Sequence, residues 1–269
     1  SCTCAYGQSG AGKSYTMGLN EKISKGMVTL SLDSLFAKLS AKNQPENPID
    51  YDVSISYIEI YNEKVYDLLD DKSTESILTK GSKYAGSKKV EIQSSDDAKE
   101  ILAKGNKNRH FRSTILNATS SRSHAAFSIF LNLREKNKEI GAVFYLVDLA
   151  GSEGIRNTNH QGIAQQEGIY INKGLLTLER VIKGLAMGSK VVAYRESVLT
   201  TVLLECLNTD SFFSLIACVS PARKDHSITL STVKFAQSCK ALENRAVPEM
   251  NAYLQKQVSF LMTKTLLFY

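Results

Sequence analysis

The residues with the clearest chemical potential are Lys13 and Ser14, which close the run GQSGAGKS from Gly7 to Ser14. The run fits G-x-x-x-x-G-K-[ST], in which glycines let backbone N–H groups wrap a triphosphate, a lysine reaches its outer phosphates and a hydroxyl is offered to Mg²⁺. A phosphate cradle is a binding device, and turnover needs more. A carboxylate from a neighbouring strand end must hold the metal's water shell, and polar groups must sense the transferred phosphoryl.

DLAGSE, Asp148 to Glu153, offers both: Asp148 as the carboxylate and the Gly151 backbone N–H as a group able to approach the γ-phosphate. Alone, an Asp-Gly turn after a strand is usually only a turn. NATSSRSH, Asn117 to His124, gathers hydroxyls, an amide, an Arg and a His before an apolar run. Alone, it reads as a polar loop capping a sheet.

Positioning these groups requires strands that end where the loops begin. SCTCAYGQ reads as a short buried strand entering the phosphate loop, and KSYTM as the first turn of the next helix. Leu32, Leu35, Phe36 and Leu39 have helical spacing, and NQPENP ends that helix. Val53, Ile55 and Tyr57 alternate as a strand, and Asp70 to about Lys89 reads as mostly surface loop. Phe127, Ile129, Leu131 and Leu133 alternate in a second long strand, and AVFYLV reads as a strand covered on both faces. Leu175, Leu178, Ile182 and Leu185 mark a helix; Val198, Leu199, Val202, Leu203, Cys206 and Leu207 mark another. SFFSLIACV supplies a further strand, and a last helix is expected over Ser227–Leu242. Strands of parallel type alternating with helices predict a three-layer α/β domain with its ligand beyond the strands' carboxyl ends.

The 269 residues carry a formal charge of +6, with 43% hydrophobic and 22% charged residues, which excludes a chain disordered throughout. No apolar run is long enough to cross a bilayer and no leader opens the chain, so a soluble cytosolic protein is expected. Cys2, Cys4, Cys206, Cys218 and Cys239 lack zinc spacing and are expected to be reduced and buried. The basic balance favours an acidic partner without saying which.

GQSGAGKS, NATSSRSH and LVDLAGSE, in this order and spacing, resemble the phosphate loop and the two switch loops of the kinesin motor domain. YIEIYNEKVYDLL, GNKNR, YINKGLLTL, YRESVLT and VSPARKDHSITLSTVKFAQSCKALEN are similar to further blocks of that family, and the resemblance runs from Cys4 to about Asn251. It implies a P-loop NTPase of kinesin type, with a central mixed sheet flanked by helices. It also implies a Mg²⁺-dependent, microtubule-stimulated ATPase of the cytoskeleton whose partner is tubulin rather than nucleic acid or a membrane. Gly7, Gln8, Ser9, Gly10, Ala11, Gly12, Lys13, Ser14 and Tyr15 would bind the phosphates of ATP or ADP. Ser14, Ser121 and Asp148 would serve the metal. Ser120 would position the attacking water, Gly151 would detect the γ-phosphate, and Arg122 would close on Glu153. The arginine–carboxylate latch can form only when both loops close, which couples phosphate state to loop position.

The resemblance further implies a long helix on the microtubule, beginning near Gln166, with Lys173, Lys183, Lys190 and Arg195 as candidate contacts to acidic tubulin. Residues 1–242 would form the motor domain, 243–252 a neck-linker-like segment, and 253–269 a tail without assignment. The family's strand with an Arg-x-Arg-Pro adenine contact is not found before the phosphate loop, so the first strands are expected to be missing and a sheet edge uncovered. Gly174 replaces a Ser of the family pattern, and Val198 and Thr201 replace a Lys and an Arg. YRES and PEMN lean toward the bipolar mitotic kinesins. Two readings follow: an active motor ATPase, or a kinesin-like module that binds nucleotide or microtubules without productive turnover.

Overall fold

In the computed structural model, residues 1–19, 25–43, 45–46, 48–70, 87–115, 120–135, 138–153, 163–207, 211–240 and 242 are described. Strands β1 (Cys2–Gly7), β2 (Asp50–Tyr61), β3 (Lys64–Asp67), β4 (Val90–Ile92), β5 (His124–Glu135), β6 (Lys138–Asp148) and β7 (Phe213–Cys218) form one sheet in the order β3-β2-β5-β6-β1-β7, with β4 also on β2. β1 runs parallel to both β6 and β7, whereas β2, β5 and β6 pair antiparallel. The sheet is therefore mixed, as the resemblance implied, and only its β6-β1-β7 part is parallel as the alternation of strands and helices suggested. A short connection between β5 and β6 allows a hairpin, while the parallel neighbours require crossovers.

Period-two alternation divides the core between the two faces. Val53, Ile55 and Tyr57 of β2 with Phe127 and Ile129 of β5 meet helix α2 (Met27–Lys42) and helix α3 (Ser95–Ile115) through Leu32, Phe36 and Leu102. Cys2, Cys4, Ile58, Ile60 and Val147 face the other way, onto α4 (Ile163–Ala186), α5 (Val198–Val202) and α6 (His226–Lys240) through Leu178, Ile182, Leu199 and Phe235. All five cysteines are free and buried.

Several expectations need correction. AVFYLV is not fully covered along its length: Ala142 to Tyr145 are half-buried and only Leu146 onward is buried, and among the described residues β1 pairs with β6 only from Tyr145 onward. The helix expected through Leu207 ends at Val202; Cys206 N–H then donates to Leu203 O at 2.9 Å, the i→i+3 bonding of a tightened turn. The loop expected from Asp70 lies largely outside the described residues. Among the described residues β7 has β1 as its strand neighbour and is half-buried along most of its length.

Helix α3 was absent from the periodicity reading because its surface is polar, yet its start is legible. Ser94 Oγ accepts from Asp97 N–H at 3.1 Å, the N-cap half of an [ST]-x-x-[DE] box, while Asp97 reaches one residue further back and accepts from Gln93 N–H at 3.0 Å. Gly105 lies against the Tyr57 ring, where an added Cβ would be 3.0 Å from Cε1 and closer still to Cδ1. That close approach brings Arg109, one turn later, to β2 and the site.

Candidate functional site

β1 delivers Gly7 to the head of the sheet, and the loop that follows turns through Gly10 at φ 78° and Gly12 at φ 94° before α1 (Lys13–Met17). Residues in this left-handed region point successive N–H groups into one concavity, the geometry of an anion cradle. Lys13 is buried across the loop, and its Nζ donates to Gln8 O at 2.8 Å. Burial pulls its pKa below the ordinary lysine value, an effect that the carboxylates of Asp148 and Glu153 partly offset. Gln8 Oε1 is buried without a protein partner. Tyr15, in contrast, is 70% exposed.

Ser14 Oγ donates to Asp148 Oδ2 at 2.6 Å, which joins the end of the cradle to the end of β6. The register that makes this possible pairs Ala5 with Asp148 on parallel strands. Asp148 Oδ1 is buried and has no protein partner. A hydroxyl and a carboxylate side by side, one oxygen unspent, are the oxygen donors that suit hydrated Mg²⁺.

The two candidate switch segments converge on this point. Gly151 N–H donates to Ser121 O at 2.8 Å, and Ser152 N–H donates to Gly7 O at 3.0 Å. Ser120, Ser121 and Arg122 form a single 3-10 turn, and the side chains of Ser121 and Arg122 are half-buried. Asn117 to Thr119 lie outside the described residues. Glu153 accepts from Ser9 N–H at 2.8 Å and from the Ser9 hydroxyl, so its carboxylate is held on the phosphate loop. A Cβ at Gly151 would run into the ends of the Glu153 and Ser9 side chains, so a larger residue there would displace the Glu153–Ser9 pair.

Three further groups behind the cradle, Arg109, Glu59 and Ser123, were given no role from sequence, and they form a cluster with Asp148. Arg109 Nη1 lies 3.3 Å from Asp148 Oδ2, its Nε lies 3.5 Å from Glu59 Oε1, and its Nη2 donates to Ser123 Oγ at 3.4 Å. Ser123 Oγ in turn donates to Glu59 Oε1 at 2.6 Å. All four side chains are buried. Breaking such a buried charge cluster by removing one partner costs about 3–5 kcal/mol, because a charge is left unpaired. GNKNR and YIEIYNE were visible as blocks, but a lone Arg and a lone Glu carry no sequence signal until α3 and β2 are packed. His124 Nδ1 accepts from Ala150 N–H at 3.0 Å, which identifies the neutral tautomer with hydrogen on Nε2. Its pKa is lowered to about 3 by burial and by the nearby Arg109 and Lys13 charges.

The candidate track residues lie away from the cradle, on α4 and the segment after it. Lys173, Lys183, Lys190 and Arg195 are all exposed. Lys173 pairs with Glu63 at 3.5 Å and Lys183 with Glu179 at 2.6 Å, one helical turn back. The helix itself begins at Ile163, three residues before the expected start. Val198 is half-buried against the core and its N–H donates to Glu63 Oε2, while Thr201 Oγ1 donates to Ser197 O at 2.8 Å.

A family model described as Kinesin motor domain matches residues 1–242. Kinesin-like protein Nod of Drosophila melanogaster is 42% identical over 247 residues, covering 90% of this chain and 36% of Nod. Kinesin-like protein Klp61F of the same species is 39% identical over 281 residues, covering 95% of this chain and 26% of Klp61F. The chain therefore spans well under half of either relative. A solved structure of a fast kinesin, presented for its ATPase mechanism and interactions with microtubules, has a TM-score of 0.82 at 34% identity, over 91% of this chain and 71% of that one.

Proposed function

Because this chain belongs to the kinesin motor-domain family, we propose that it binds ATP with Mg²⁺, hydrolyses it in a microtubule-stimulated reaction and couples the cycle to force or movement on the microtubule cytoskeleton. The observation that carries the reading is the Gly151 N–H to Ser121 O hydrogen bond at 2.8 Å, which brings both switch segments over the cradle. Phosphate binding is assigned to the loop from Gly7 to Ser14, with Lys13 exchanging its bond to Gln8 O for the outer phosphates. Ser14, Ser121 and Asp148 would hold the metal, whose charge offsets that of the phosphates. The unspent Asp148 Oδ1 supports this assignment.

Ser120 is assigned to orient the attacking water, Gly151 to exchange the bond of its N–H to Ser121 O for one to the γ-phosphate, and Arg122 to close on Glu153. For that latch to form, Glu153 must leave Ser9, so release from the phosphate loop is the natural trigger. Lys173, Lys183, Lys190 and Arg195 are assigned to acidic tubulin; Lys190 and Arg195 are the stronger candidates, because Lys173 and Lys183 have carboxylates of their own chain beside them. No feature among the described residues favours a module without turnover.

Calorimetry of the full chain with ATP and Mg²⁺ tests the proposal. Lys13→Ala is expected to abolish binding, since it removes the loop's own cation, whereas Glu153→Ala is expected to keep binding and lose microtubule-stimulated turnover. Unchanged affinity in a folded Lys13→Ala protein would refute the cradle, and undiminished turnover in Glu153→Ala would refute the latch.

A further inference from the structure

Four consecutive N–H groups lead from the end of β6 into the second candidate switch segment, and each has an acceptor. Leu149 donates to Ala5 O at 3.2 Å and Ser152 to Gly7 O at 3.0 Å, so both ends of the run are tied to β1. Gly151 donates to Ser121 O at 2.8 Å. Ala150 donates to a side chain, His124 Nδ1, at 3.0 Å. His124 opens β5, whose next residue, Ala125, pairs with Asp148. Its ring is 4% exposed, and Nε2 lies toward α4, 3.5 Å from the place a Cβ on Gly174 would take. The imidazole has no part in the function proposed above. It is buried and neutral, and a neutral ring has one acceptor nitrogen, which is spent on Ala150.

From this arrangement we propose that His124 is a positioning residue for γ-phosphate detection: it anchors the Ala150 N–H, so that the next peptide group swings its own N–H between Ser121 O and the γ-phosphate about a fixed point. The inference rests on the assignment of the cradle to nucleotide and of the Gly151 N–H to the γ-phosphate. His124 touches no phosphate; it acts through the backbone from Ala150 to Gly151. Of the four N–H groups, that of Gly151 is the one this assignment requires to change partner. With Ala150 held by His124 and Ser152 by Gly7 O, the exchange is a local rotation between two fixed neighbours. Ala150 is fully buried, so without the imidazole its N–H would lose an acceptor that water does not replace, and the segment would shift to satisfy it. A histidine suits this post because its acceptor nitrogen sits on a rigid ring set between β5 and α4, where packing fixes it.

The test is calorimetry of the full chain in Mg²⁺ with ADP and with AMPPNP, the imido analogue that keeps a γ-phosphoryl group, read as the ratio of the two affinities. His124→Asn and His124→Gln carry the same neutral amide, but Asn places Oδ1 where Nδ1 stands, whereas Gln carries its oxygen one bond farther out. His124→Asn is expected to keep the wild-type ratio. His124→Gln is expected to weaken AMPPNP about tenfold, the scale of one lost hydrogen bond to a charged group, with ADP affinity unchanged because Lys13 and the loop amides do not depend on His124. A wild-type ratio in folded His124→Gln would overturn the inference while leaving the cradle intact. An equal change in the two variants would also overturn it, since that marks the packing of the ring rather than its acceptor, as would a parallel loss of ADP and AMPPNP affinity, the signature of a generally damaged site. Should His124→Gln fail to fold, amide hydrogen exchange of the wild-type chain decides: the Ala150 N–H is expected to be equally protected with ADP and with AMPPNP, and faster exchange at Ala150 with AMPPNP would overturn the fixed point. Absence of ADP binding by the wild-type chain would refute the nucleotide reading, and this inference with it.

Discussion

Gly7 lies where β1 becomes the phosphate loop, and replacing it with Ala provides a severe test of how that junction is built. Its φ of 151° lies in a region that L side chains rarely adopt, and a Cβ there would sit inside contact distance of Cys218 O and 3.0 Å from the Cys218 carbonyl carbon. The obstacle is backbone of β7, paired with β1 through Gly7↔Cys218, so it cannot rotate aside as a side chain would. Backbone strain of this kind costs roughly 1–3 kcal/mol, and overpacking against a fixed neighbour costs about as much again. Gly7→Ala is therefore expected to lose about 4 kcal/mol of stability, which for a domain of this size lowers Tm by on the order of 10 °C. Gly10→Ala is the control, because Gly10 has a φ of 78° but no atom within 4 Å of an added Cβ, leaving strain alone at about 1–2 kcal/mol. Thermal and urea unfolding of both variants measure the difference directly. If Gly7→Ala were no less stable than Gly10→Ala, the close approach of β1 to β7 would not be what demands glycine, and the reasoning would fail.

His124 makes stability depend on pH. Its folded-state pKa of about 3 lies below the ordinary histidine value near 6.5, so its contribution is complete above the unfolded pKa and is lost as pH falls through that window. The loss is about 1.4 kcal/mol per pH unit, or about 2 kcal/mol between pH 6.5 and pH 5; urea titrations should show this slope, and His124→Asn should flatten it. On the track side, Lys190→Glu with Arg195→Glu is expected to weaken microtubule cosedimentation about three- to tenfold at low ionic strength and progressively less as salt rises. Lys173→Ala with Lys183→Ala should have a smaller effect, since each of those ammonium groups already faces Glu63 or Glu179. Equal effects from the two pairs would argue against the distinction.

The family and the strand–loop–helix geometry of the candidate cradle were legible from the sequence alone because they depend on contiguous residues. A phosphate loop is a local backbone device, so GQSGAGKS carries its glycines, Lys13 and Ser14 within eight residues, and the short motifs around Ser121 and Gly151 are readable for the same reason. Alternation at Val53, Ile55 and Tyr57, and again at Phe127 and Ile129, specified strands with one face toward each helical layer. What sequence could not supply was anything set by the pairing of distant segments. The antiparallel run of β2, β5 and β6 beside the parallel β6-β1-β7 is decided by which strands meet, and the half-buried part of AVFYLV by how little of β6 lies beside β1. The buried cluster of Glu59, Arg109, Ser123 and Asp148 exists only because Gly105 lets α3 lie against Tyr57 and because Ala5 pairs with Asp148. Asp148 apart, each of those side chains is unremarkable in its own neighbourhood of sequence. Burial makes them consequential, since charges withdrawn from water must find one another, and only the tertiary structure decides which ones do.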